Sequence, residues 1–243
     1  MIRHSIHEAY RLIGRSKKAA ALYLGASLVS SWLYVFMCGQ LGLAGAYAGA
    51  EAVKAEPVKG LITYLPGIAV LAWFAAGTTG RFVMDALKGE AEGLPRYANG
   101  WFFRKAGWDL IFMFLMWVPM WFMALKFPGV IVVSLAWMVA ALWLGVRVSL
   151  WLNISITEDL GLPEALKRSY ALTRGRVWTL VMIGVVPMIA AKLLSWLVTA
   201  AFSAQGGAAY YTKAFFEGAA GVVVIGAFAA AYLKIKEAGP ADR

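Results

Sequence analysis

Lys192, Ser195 and Thr199 stand at i, i+3 and i+7 in a run dominated by Val, Leu, Ile, Met and Ala. On a helix they form one polar stripe, and a cation inside such a run is a functional suspect because hydrocarbon penalises charge. Its chemistry would be to hold an anionic headgroup or substrate. The plainer alternative is snorkelling. At about 1.5 Å per residue the ammonium is only ~12 Å from the end of the run near Ala200, within reach of the outer interface.

Other reactive groups are sparse. His4 and His7 have helical i, i+3 spacing, and polarity at an interface explains them as well as a metal does. Cys38 is the single cysteine of the chain, a small apolar residue by its surroundings. Arg147 and Asn153 close an apolar run and face two readings: a pair with Glu158 or Asp159, or a basic anchor. Pro66, Pro119 and Pro187 interrupt three runs, each freeing a carbonyl. No carboxylate sits securely inside any run, Asp109 being at an edge, which argues against coupling to a proton or sodium ion. The 11 tryptophans resemble a pigment or haem stack. However, no internal histidine is available as an axial ligand, and Trp32, Trp101, Trp108, Trp143, Trp151, Trp178 and Trp196 fall near run ends, where an aromatic belt places them. The expectation is no catalytic residue, no metal, no cofactor and no enzyme.

The elements that carry these groups follow from composition. The chain has 243 residues, 61% hydrophobic and 15% charged, against about 25% charged in soluble domains, with a mean hydropathy of +0.68. An all-α integral membrane protein is expected, one membrane domain over 1–243. Its six transmembrane helices are expected at about 21–41, 60–80, 108–125, 128–150, 177–200 and 216–235, each near the roughly 20 residues a bilayer requires. The first run exceeds a signal h-region of about 7–15 residues and reads as an uncleaved helix. Of the 23 Lys and Arg, all but Lys54, Lys59, Lys126, Lys213 and Lys192 fall on the side of the N-terminus. This is the positive-inside pattern of a multi-pass protein with both termini in the cytoplasm. Basic residues set between apolar runs point to anionic lipid, not nucleic acid.

Three cytoplasmic interfacial amphipathic helices are expected ahead of the odd-numbered spans, at about 3–16, 97–105 and 163–175. In the first, Ile2, Ile6, Ala9 and Ile13 share a side. In the third, Leu162, Leu166 and Tyr170 do so, after Pro163 at a favourable first helical position. The candidate interfacial lipid contacts are Arg11, Arg15, Lys18, Arg104, Lys105, Lys167, Arg174 and Arg176. Tyr10-Arg11-Leu12 before Gly14-Arg15 matches Tyr170-Ala171-Leu172 before Gly175-Arg176, and Val118-Pro119-Met120 matches Val186-Pro187-Met188. Three in-line two-helix repeats, or a shared need to approach the membrane, would give this likeness.

The stretch from Pro163 to Arg176, followed by Val177-Trp178, resembles a motif of uncharacterised bacterial inner-membrane proteins. These include the membrane domain of some glycerophosphoryl diester phosphodiesterases and the YciC-like families. The resemblance implies a bacterial inner-membrane location. It carries over no phosphodiesterase activity, which belongs to a separate soluble barrel in the fused members. Two functions remain: an accessory or interaction protein that organises lipid or supports a partner complex, with a membrane-protein partner or a homo-oligomer both open, and a non-coupled transporter or lipid-handling protein with a cavity near Lys192.

Overall fold

A computed structural model of the chain describes residues 2–43, 57–89, 93–124, 129–201 and 207–238, and all regular structure among them is helical. In chain order the helices are α1 (Ile2–Arg15), α2 (Lys17–Gln40), α3 (Pro57–Lys88), α4 (Leu94–Ala124), α5 (Val130–Arg147), α6 (Trp151–Glu158), α7 (Leu162–Leu172), α8 (Val177–Ala201) and α9 (Gly207–Glu237). Five stretches of the described residues are long and apolar enough to cross a membrane: Lys17–Gln40, Ile62–Lys88, Val130–Glu158, Val177–Ala201 and Gly207–Glu237. The chain is thus an all-α, multi-span protein. The expected third span, 108–125, coincides over 108–124 with the second half of α4, which is not among the five, and residue 125 lies outside the described residues. The expected turn at Lys126, Phe127 and Pro128 lies outside the described residues.

Three of the departures from the sequence expectation have a local reason. The second interfacial helix and third span are one element, α4, because Gly107 alone does not stop a helix and the Lys105–Asp109 ion pair, at i, i+4, bridges the junction. The run expected at 128–150 instead stops at Arg147, turns through Val148, Ser149 and Leu150, and resumes as the short helix α6. No proline or glycine marks that break. The third difference is in α1, whose buried positions are Ser5, Ala9 and Leu12, while Ile6 and Ile13 are half-buried, Ile13 packing at the margin of the core. The small Ala9 lets the helix lie close to its neighbour.

That neighbour is α9, which touches α1, α2, α3, α6 and α8. In α9 and α3, 50% and 44% of the apolar window is buried, against 17% in the other three spans, which marks these two as the centre of the bundle. Its alanines and glycines permit this. A Cβ at Gly218 would stand 2.7 Å from the Ser27 Cβ, one at Gly221 3.0 Å from the Tyr23 ring, and one at Gly226 3.2 Å from the Ala9 Cβ. In a lipid-facing bundle, where apolar burial gives no advantage over lipid, such close backbone approach is the main source of association. Gly77 and Gly80 of α3 serve α4 in the same way, receiving Leu94 and Tyr97. Lipid-type exposure falls on α5 and α8, where Ile131, Val132, Val139, Leu193, Trp196 and Trp178 point outward. Trp151 departs from the belt expectation. It is buried, edge-on to Trp108 at 6.2 Å between centroids.

Pro119 sits inside α4 and cannot donate to the carbonyl of Leu115. The indole of Trp137, on α5, donates to that carbonyl at 2.8 Å. A ladder bond lost inside one helix is replaced by a bond between two. Trp137→Phe should therefore cost about 1–3 kcal/mol of stability in detergent. In a Pro119→Ala background, where the ladder amide is restored, the same change should cost clearly less. Equal costs in the two backgrounds, read by thermal unfolding, would show that the indole packs without serving the carbonyl.

Candidate functional site

The three lead-in segments meet at one end of the bundle. At this end α1 lies against the C-terminal turns of α3 and α9, as a groove lined by Glu8, Arg11, Ala86, Leu233 and Lys234 shows. There too α4 begins, and α6 and α7 pack on each other and on the neighbouring helices. This basic end is the candidate site.

Its best-built part is the break between α5 and α6. Past Arg147 the backbone pairs irregularly: Val148 N–H reaches Leu144 O at 3.0 Å, Ser149 N–H reaches Val146 O at 3.3 Å and Trp151 N–H reaches Val148 O at 3.0 Å. The carbonyl of Arg147 and the amide of Leu150 are left over. Helix α7 supplies both partners. Ser169 Oγ accepts from Leu150 N–H at 3.1 Å and donates to Arg147 O at 3.1 Å, and Thr173 Oγ1 donates to the same carbonyl at 2.9 Å. Ala165, Ser169 and Thr173, at i, i+4 and i+8, are all buried on this face. Gly175, at φ +74°, then turns the chain from α7 into α8, in a region that favours glycine.

The side chain of Arg147 is held by aromatics. Its guanidinium carbon lies 3.8 Å from the Tyr170 ring centre and 5.5 Å from that of Trp143, four residues earlier on the same helix. Arg147 is buried, and its Nε has no hydrogen-bond partner among the described residues. The ring quadrupoles therefore carry much of the stabilisation of this cation. The pairing with Glu158 or Asp159 weighed from sequence does not form. Glu158 instead accepts from Tyr232 Oη at 3.1 Å and lies 3.7 Å from Arg168 Nε, while Tyr232 Oη and Thr157 Oγ1 are 2.5 Å apart. Tyr232 is fully buried, so these contacts fasten α6 to α9 inside the bundle, and the exposed Arg168 links α7 to them at the surface.

The expected lipid contacts divide by environment. Arg11, Arg15, Lys18, Arg104, Lys167 and Arg174 are exposed. Arg104 stacks on Trp101 at 4.5 Å, and Arg11 pairs with Glu8 at 3.2 Å across an exposed turn. Lys105 is partly buried and committed to Asp109, and Arg176 donates to Leu172 O at 3.3 Å. The Lys192 stripe splits: Lys192 is exposed, Ser195 is buried, and Thr199 Oγ1 donates to Ser195 O at 2.7 Å. The three side chains therefore do not converge on one point. His4 and His7 are both exposed.

Sequence reasoning missed α6 altogether. Trp151, Leu152, Asn153, Ile154 and Ser155 are all buried, on every face of the helix, and Asn153 Oδ1 and Ser155 Oγ have no partner among the described residues. The available signal was Asn153 and Ser155 beside Ser169 and Thr173, polar groups too few for a loop and too many for a span. No family model, no curated protein and no solved structure matches this chain.

The α7 hydroxyls give a direct prediction. Ser169→Ala combined with Thr173→Val leaves the Arg147 carbonyl and the Leu150 amide unpaired, and should cost about 1–3 kcal/mol per abandoned group. Limited proteolysis of detergent-solubilised protein should then open first within 159–176. Unchanged protection there would mean that α7 is held by its apolar contacts alone.

Proposed function

We propose that the chain is a non-enzymatic accessory protein of the bacterial inner membrane that organises anionic lipid at its basic end, alone or beside a membrane-protein partner. In this reading α4 completes a set of six spans, both termini are cytoplasmic, and the three lead-in segments are repeats of one device. The observation that carries it is the division of labour among polar groups. The buried hydroxyls Ser169 and Thr173 and the side chains of Glu158 and Tyr232 are engaged in holding helices, whereas Lys167 and Arg174 are left exposed on the segment those groups fix in place and Arg104 is exposed on α4. A rigid frame carrying exposed cations at the level of the headgroups attracts anionic lipid at roughly 1 kcal/mol per cation. The buried positions of the first and third segments also correspond: Ser5 and Ala9 match Ala165 and Ser169 when Tyr10 is set against Tyr170. The motif likeness at Pro163 to Arg176 adds the bacterial inner-membrane location. The transporter reading gains nothing from Lys192, which is exposed while Ser195 faces inward.

Extracted in mild detergent from vesicles of phosphatidylglycerol and phosphatidylcholine, the protein should carry more phosphatidylglycerol than the bulk membrane. The triple change of Arg104, Lys167 and Arg174 to Gln should lower that excess at least twofold. A lipid shell of bulk composition around the unaltered protein would end the proposal. The orientation has its own test. In a Cys38→Ala background, an impermeant maleimide added to intact cells should label Lys213→Cys and spare Arg96→Cys.

A further inference from the structure

Between the α1–α2 elbow and the start of α4 lies a groove of about 680 Å³. The elbow is at Ser16, with φ −112° and ψ 45°, where Ser16 N–H still reaches Leu12 O at 2.9 Å and the next rung runs from Ala20 N–H to Ser16 O at 3.1 Å. The chain bends there between α2, which runs antiparallel to α9 with Ser27 against Gly218, and α1, which lies nearer the C-terminal end of α9 with Ala9 against Gly226. A helix that starts at such a turn leaves its first amides without partners in its own ladder, and these present partial positive charge. Thr78 Oγ1, on α3, donates to Ala19 O at 3.4 Å and steadies this first turn.

The lining joins two chemistries. Arg15, Lys17 and Lys18 bring three cations, Arg81 adds a fourth that is engaged elsewhere, and no carboxylate is among the described lining residues. Leu22 and Leu94 belong to the apolar part of the wall. Ser16 also lines the groove, is 4% exposed, and its hydroxyl neither caps α2 nor hydrogen-bonds to any described group. A buried hydroxyl without a partner normally costs stability. At the start of a helix, ringed by cations, its natural partner is an anion with oxygen acceptors.

We infer that this groove is a phosphate site, built at the α1–α2 elbow to take the phosphodiester headgroup of an anionic phospholipid with an acyl chain along Leu22 and Leu94. The inference rests on the lipid-organising reading above and gives it one definite binding position. Free phosphate shares the chemistry of the headgroup but would leave the apolar wall bare, so lipid is the expected source.

The test is native mass spectrometry of the full chain in mild detergent, titrated separately with phosphatidylglycerol, phosphatidylcholine and glycerol phosphate. One phosphatidylglycerol should bind at least tenfold more tightly than phosphatidylcholine. Ser16→Ala, which alters no charge, and Lys18→Gln should each weaken that first binding about tenfold, the loss expected for a hydrogen bond or contact to a charged group. The Arg104, Lys167 and Arg174 triple change should leave it within twofold. If the triple change weakens the first lipid as much as Ser16→Ala does, the elbow is no site, although lipid organisation by the belt survives. If phosphatidylglycerol shows no preference at all, both readings fall. Tight binding of glycerol phosphate without lipid binding would overturn the assignment to phospholipid.

Discussion

A backbone polar group in apolar surroundings must find a partner, and this protein meets that constraint with side chains at two of the places where its helices are interrupted. Two interruptions show it. Pro119 removes a donor from α4, and Trp137 of α5 replaces it. The turn at Val148 to Leu150 strands a carbonyl and an amide, and Ser169 and Thr173 of α7 take both. In each case the replacement comes from a different helix. An interruption that would weaken a single rod becomes a fixed contact between two, so the places where helices break are also the places where the bundle is tied together.

The same economy of space governs the helix contacts. The central helix α9 is approached by Ser27, Tyr23 and Ala9 at positions where only glycine leaves room. Helix α1, which its isoleucines would cast as a float on the lipid surface, buries Ser5, Ala9 and Leu12 and sets Ala9 against Gly226 of α9. The amphipathic pattern thus describes which side carries cations better than it describes what the other side touches. Under the proposed function, helices of this kind seated on protein are held in one orientation, and their exposed cations then occupy fixed positions. Fixed positions are what separate a lipid-organising surface from a merely basic one.

Arg147 illustrates how tertiary packing changes the meaning of a charge. By position it is a basic residue at the end of a span, the commonest kind of anchor. In the bundle it is covered by Tyr170 and Trp143, and its neighbour Glu158 is drawn away to Tyr232 and Arg168. A buried ion pair carries a desolvation cost that only good geometry offsets. Aromatic faces hold the cation here without bringing a second charge into the same space.

The sequence by itself determined the class of fold: apolar runs too long and too lightly charged for a soluble core, and basic segments ahead of several of them, gave helices within a few residues of where α1, α2, α7 and α8 lie. Those features are local, because a residue's hydropathy and its helical spacing need no knowledge of its neighbours in space. It also singled out Pro119 as a position of interest, since proline acts through the backbone. What it did not hold was pairing. The break after Arg147, the buried helix α6, the bond from Trp137 to Leu115 and the splitting of Lys192 from Ser195 depend on which helix faces which. Hydroxyls and small residues read alike in sequence whether they meet lipid, water or a stranded carbonyl. Only the tertiary structure decides among these, because a hydrogen bond between distant segments is specified by their packing and by nothing in either segment alone.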